Sequence, residues 1–82
     1  MNERIEFEKQ STGWKIDTQR GEQKEALENI RDLAERMLKD FENGLRLYEA
    51  SSIIAYAQRL EKASLQLEGL NERMQMLEFL QK

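Results

Sequence analysis

From Leu27 to Lys82, apolar residues recur at intervals of three and four, the spacing that lines up one face of an α-helix. The first predicted helix covers residues 22–43. Its stripe is Leu27, Ile30, Ala34, Met37 and Phe41, and Leu33 and Leu38 widen it beyond a strict seam. Asp17 or Thr18 is placed to cap its start, and Glu22 and Glu25 fall in the early turns, where the helix macrodipole favours negative charge. Asn43-Gly44 is the strongest stop signal, because glycine takes the left-handed conformation that ends many helices. The rival, a helix continuing through Gly44 to Tyr48, costs about 1 kcal/mol for the glycine. A break between Asn43 and Ser52 is therefore preferred. A second helix, residues 52–80, starts with Ser51 or Ser52 as cap and carries Ile53, Ala57, Leu60, Ser64, Leu67, Asn71, Met74 and Leu77 on one stripe.

The two halves of that second stripe differ. Ala55, Ala57, Ala63 and Ser64 are small and let a neighbouring helix approach closely, while Leu70, Met74, Met76, Leu77, Phe79 and Leu80 are bulky. Residues 70–80 are apolar on more than one face, more than a single partner helix covers. Gly69 interrupts this helix at modest cost and marks a possible bend.

The first twenty residues follow another rhythm. Ile5 and Phe7 alternate with Glu6 and Glu8. After Gln10-Ser11-Thr12-Gly13, residues Trp14, Ile16 and Thr18 alternate with Lys15 and Asp17. Short period-two runs around a Ser/Thr/Gly turn predict a β-hairpin. Such a hairpin is marginal in water by itself, so a mobile arm that orders on binding is the competing reading, and an extra helical turn is a third. In each case Trp14 is a candidate anchor, with a large apolar body and a donor edge.

Composition narrows the function classes. The chain has 82 residues, room for one small domain, and its charged and hydrophobic fractions are 35% and 39%. A core this thin is commonly reinforced by oligomerisation. With no cysteine, disulfides, thiolate zinc sites and thiol nucleophiles are excluded. Met1-Asn2-Glu3-Arg4 leads into Glu6, Glu8 and Lys9 rather than an apolar signal region, and no apolar run approaches the length of a membrane span; a cytoplasmic protein is expected. Thirteen Lys and Arg are interleaved with sixteen Asp and Glu, a net charge of −3. Neither the basic stripe of a nucleic-acid binder nor the dense acidic surface of a DNA mimic is present.

Little chemistry is on offer. Histidine is absent too, so Asp, Glu, Lys and Tyr are the remaining acids and bases. The carboxylates fall mostly at spacings that suit solvent-face ion pairs, such as Glu35 with Lys39. The four glycines are scattered rather than gathered into a phosphate loop. The helical Glu-x-x-His pair of di-iron bundles cannot be formed. No catalytic, cofactor-binding or metal-ligating residue is assigned, and no enzyme activity is expected.

The chain carries two resemblances to known families. Ala57-Gln58-Arg59-Leu60-Glu61-Lys62-Ala63-Ser64 looks like the phosphoacceptor helix of histidine phosphotransfer domains, with Gln58 at the acceptor position. That resemblance implies a non-phosphorylatable mimic. Leu27-Glu28-Asn29-Ile30 and Phe41-Glu42-Asn43-Gly44-Leu45-Arg46-Leu47-Tyr48-Glu49 are similar to the helical hairpin of the exodeoxyribonuclease VII small subunit, although Arg36-Met37-Leu38-Lys39-Asp40 replaces that family's Gly-acidic-Leu turn. This one implies an accessory subunit of a nucleic-acid-processing enzyme.

The combined expectation is a mainly α protein. An N-terminal β-hairpin or arm (residues 1–20) precedes an antiparallel, coiled-coil-like helical hairpin (residues 21–82), which completes a four-helix-type bundle by homodimerisation. Its expected function is a non-catalytic protein–protein interaction module: an adaptor, inhibitor or accessory subunit. The expected self-association or partner surface comprises Phe7, Trp14, Leu70, Met74, Leu77, Phe79 and Leu80, with another protein as partner and neither nucleic acid nor membrane contacted directly. A plain dimerisation module of a larger assembly is the remaining alternative.

Overall fold

The computed structural model describes residues 2–47 and 50–81. They form two α-helices, α1 (Asn2–Glu42) and α2 (Ala50–Gln81). At a rise of about 1.5 Å per residue α1 is roughly 60 Å long, and the Cα trace is correspondingly a rod of 64 × 14 × 14 Å. Three side-chain bonds give the direction of packing: Lys9 to Gln81, Arg73 to Glu8, and Gln23 to Ser64. The start of α1 lies beside the end of α2, so the hairpin is antiparallel.

The expected break is present in full. Gly44 has φ +70°. The Leu45 amide donates to the Asp40 carbonyl at 2.7 Å, and the Gly44 amide donates to the Phe41 carbonyl at 3.0 Å. These are the six-to-one and five-to-two bonds of a Schellman cap, which satisfy carbonyls at the helix end that have no intrahelical donor. Ser51 and Ser52 lie inside the first turn of α2, which begins at Ala50. Tyr48 and Glu49, part of the second family-like stretch, lie outside the described residues.

The N-terminal β-hairpin or arm is replaced by helix: residues 2–20 belong to α1, and there is no strand among the described residues. The reason is legible afterwards. The period-two runs are only four and five residues long, 5–8 and 14–18, and fit either rhythm. Over a longer window Ile5, Thr12 and Ile16 fall seven and four apart, in phase with Gln19, Gln23 and Ala26 farther along. Helix propagation is cooperative, and no proline interrupts it. Asp17 and Thr18 are consequently mid-helix residues rather than caps; the Thr18 hydroxyl donates to the Trp14 carbonyl at 2.9 Å.

The seam between the helices also differs from the expected stripe. The covered residues of α1 include Ile5, Lys9, Thr12, Ile16, Gln19, Gln23, Ala26, Ile30, Leu33 and Met37. Those of α2 include Ile53, Tyr56, Leu60, Ala63, Leu67, Leu70, Met74 and Leu77. Both sets alternate strictly by three and four, a 3.5-residue period that keeps two supercoiled helices in contact. Leu27, Ala34 and Phe41 sit on the flank of this seam, and so do Ala57 and Asn71. The core is thin. Ala26, Leu33, Ala63, Leu77 and Thr12 are buried, yet no large side chain among the described residues is completely enclosed.

Candidate interaction surfaces

The seven residues expected to form one surface divide between two environments. Leu77 is buried, and Leu70 and Met74 are half-buried in the seam. These three hold α2 against α1. Phe79 and Leu80 are exposed, with Met76 beside them at intervals of three and four on the outer side of α2. Phe7 and Trp14 are each 67% exposed and stand two turns apart on the back of α1, away from the seam. The structure therefore separates a C-terminal ridge (Met76, Phe79, Leu80) from an N-terminal one (Phe7, Trp14).

A third apolar surface lies at the tip of the hairpin, and its α1 residues and Ile53 are ones that helical spacing assigns to the core-facing stripes. Ala34, Met37, Leu38 and Phe41 of α1 line a shallow hollow of about 310 Å³ with Leu47 and Ile53. Phe41 is 69% exposed, and Leu27, Leu38, Leu45, Leu47 and Ile54 are exposed as well. Helical spacing makes this a continuous face, since Leu27, Ala34 and Phe41 are seven apart and Leu38 falls between the last two. The sequence signal was available. A two-helix seam uses two positions per heptad, and from Leu27 to Phe41 the chain carries more apolar residues than those two positions hold.

On the same side, below the tip, a second open hollow is lined by Asp17, Arg20, Gln23, Lys24, Leu27, Glu28 and Arg31. Lys24 lies 3.9 Å from Glu28, and Arg31 bonds Asp32 at 3.4 Å. Both pairs are well exposed and belong to neighbouring turns or residues of α1, so they contribute little to stability. On the opposite flank Arg59 stands over the Tyr56 ring at 5.9 Å, within cation–π range. No group of three or more acidic side chains among the described residues is arranged to hold a metal. No helix among them is long and apolar enough to cross a membrane.

The family-like stretches take ordinary places in this fold. Gln58 is an exposed residue of α2, and the Ser64 hydroxyl is bonded to Leu60 and Gln23. Arg36–Asp40 is uninterrupted helix, so Leu27–Ile30 and Phe41–Glu42 lie on one helix and do not face each other across a turn. Comparison with protein-family models, curated proteins and solved structures finds no match.

Proposed function

We propose that this chain is a non-catalytic protein–protein interaction module, an adaptor, inhibitor or accessory subunit, that works as a homodimer completing a four-helix-type bundle. One observation carries the reading: a rod in which no large side chain among the described residues is completely enclosed exposes Leu38, Phe41, Leu47 and Ile54 together at its tip. Contiguous apolar surface of this kind marks association sites on soluble proteins. Burial returns about 25 cal/mol per Å² of apolar area, and a two-helix rod gains only part of that from its own seam. Small domains make up such a shortfall by associating. The exposed Phe79 ridge and the Phe7–Trp14 ridge remain for a different protein once the tip is covered, and large aromatic side chains are favoured anchors for such contacts.

The test is site-specific photo-crosslinking in the native host, with a photoreactive residue replacing Phe41 in one variant and Phe79 in another. A crosslinked species of defined mass at either position is the expected result. Recovery of the uncrosslinked chain at both positions overturns the reading.

A further inference from the structure

We propose that a second copy of this chain covers the tip face, packed face to face with both tips at the same end, so that α1 of each copy lies along α2 of the other. The inference rests on the interaction-module reading and names the occupant and geometry of one of its surfaces.

Two features of the same side of the rod carry it. The first is where the apolar side chains stand. Leu27, Leu38 and Phe41 on α1 and Ile54 on α2 are exposed in the half nearest Gly44. The other half of that side carries Asp17, Arg20, Glu68 and Asn71. A twofold axis parallel to the rods sets each apolar half against its equivalent at the same height. A twofold axis across fully overlapped rods sets it against the polar half instead.

The second feature is charge. On this side the outer edge of α1 carries Lys24 and Arg31 in its tip half and Asp17 below them, with Arg20 one row inward, and the outer edge of α2 is acidic, with Glu61 and Glu68. The Gln23–Ser64 bond fixes the relative heights. Moving three residues up α1 and three back along α2 brings Glu61 level with Ala26, between Lys24 and Arg31. By the same count Glu68 is level with Gln19, between Asp17 and Arg20, where the charges of α1 are mixed. A parallel twofold axis places Lys24 and Arg31 of one copy opposite Glu61 of the other, twice per dimer. Pairing α1 with α1 would oppose edges of like sign, which disfavours that arrangement. A face whose two edges complement each other under a twofold axis fits a second copy of itself, and closed twofold pairing is the commonest form of homo-oligomer.

The experiment uses the full chain. Its lack of cysteine makes a single introduced thiol a unique label site. Spin labels are placed at Asn43→Cys, at the tip, and at Arg4→Cys, at the far end, and distances between copies are read by pulsed dipolar spectroscopy alongside sedimentation equilibrium. The expected result is a dimer with both distances within about 30 Å, roughly two helix diameters plus the labels. Either distance approaching or exceeding the 64 Å rod length overturns the arrangement.

A charge arm runs in parallel. Lys24→Glu with Arg31→Glu is expected to raise the dimer dissociation constant about tenfold at low salt, with Glu61→Lys and Glu68→Lys on the same chain restoring it. Circular dichroism keeps misfolding apart from weakened pairing, and a folded variant with unchanged affinity removes the charge argument. A wild-type chain that is monomeric or unfolded at high micromolar concentration overturns self-pairing. The homodimer part of the proposed function falls with it, and the partner-binding part then stands or falls separately on the crosslinks at Phe41 and Phe79.

Discussion

The Gln23 side-chain amide donates a 3.0 Å hydrogen bond to the Ser64 hydroxyl, joining the middle of α1 to the middle of α2. Ser64 donates in turn to the Leu60 carbonyl at 2.7 Å. Its oxygen is therefore held by its own helix and waits as a fixed acceptor. Apolar seams tolerate slippage by a heptad, because leucine meets leucine again. A polar pair that joins a seam residue (Gln23) to the flank of the facing helix (Ser64) does not, and polar residues at coiled-coil seams are known to specify register.

Ser64→Ala is expected to lower stability by about 1 kcal/mol in urea unfolding, the usual net worth of such a bond. Gln23→Leu combined with Ser64→Ala should be close to neutral, since both polar partners are then gone. The double variant should show duplicated amide resonances from shifted registers. A single sharp set would refute the locking role.

The glycines divide by conformation. Gly44→Ala forces a side chain into the left-handed region at φ +70° and is expected to cost about 1–2 kcal/mol. Gly21 is helical, and a Cβ there meets nothing within 4 Å. Gly21→Ala should accordingly raise stability by about 0.5–1 kcal/mol. Thermal melts of the two variants should shift in opposite directions.

Two neighbours near the C-terminus should also behave oppositely. Leu77 is 3% exposed and Phe79 is 75% exposed. Leu77→Ala is expected to cost about 2–3 kcal/mol of hairpin stability, the low end of the range because a thin core collapses around the gap. Phe79→Ala should change it by less than about 0.5 kcal/mol. Denaturant titration of both variants decides whether Phe79 belongs to the core after all.

Amide hydrogen exchange should be graded along the rod. The polar seam positions Lys9, Thr12, Gln19 and Gln23 all precede Ala26, while Ala26, Ile30, Leu33 and Met37 follow without interruption. Contacts near Gly44 also close the shortest loops and so carry the least entropic cost. Protection is expected to be greatest at residues 26–37 and 53–63 and to decline toward residues 2–20. Equal protection at both ends would contradict this.

The fold is legible in the sequence at some residues and hidden at others. Asn43-Gly44 marked the turn because left-handed φ has so few other tenants. Ile30, Met37, Leu60, Leu67 and Met74 were correctly placed on the inner faces, since they satisfy both a wide stripe and a narrow seam. Leu27, Ala34 and Phe41 satisfy the wide stripe only, and periodicity cannot distinguish the core-facing edge of a stripe from its exposed edge before the partner helix is placed. The N-terminal half of α1 was obscured for a different reason: its seam is occupied by Lys9, Thr12, Gln19 and Gln23, which carry no hydrophobic signal. The candidate surface suffered likewise. Leu77 and Phe79 look alike in sequence, and two residues of helical rotation separate a buried leucine from an exposed phenylalanine.

The shape of the molecule has a practical consequence for anyone who handles it. A particle 64 Å long and 14 Å across its Cα trace drags far more solvent than a sphere of equal mass. In gel filtration it should emerge ahead of globular standards, so that a lone chain can pass for a pair. Its rotational diffusion should be anisotropic, with amide vectors along the helix axes relaxing as though they belonged to a heavier protein. Mass-resolved methods, rather than elution volume or linewidth, are the ones that count chains in this system.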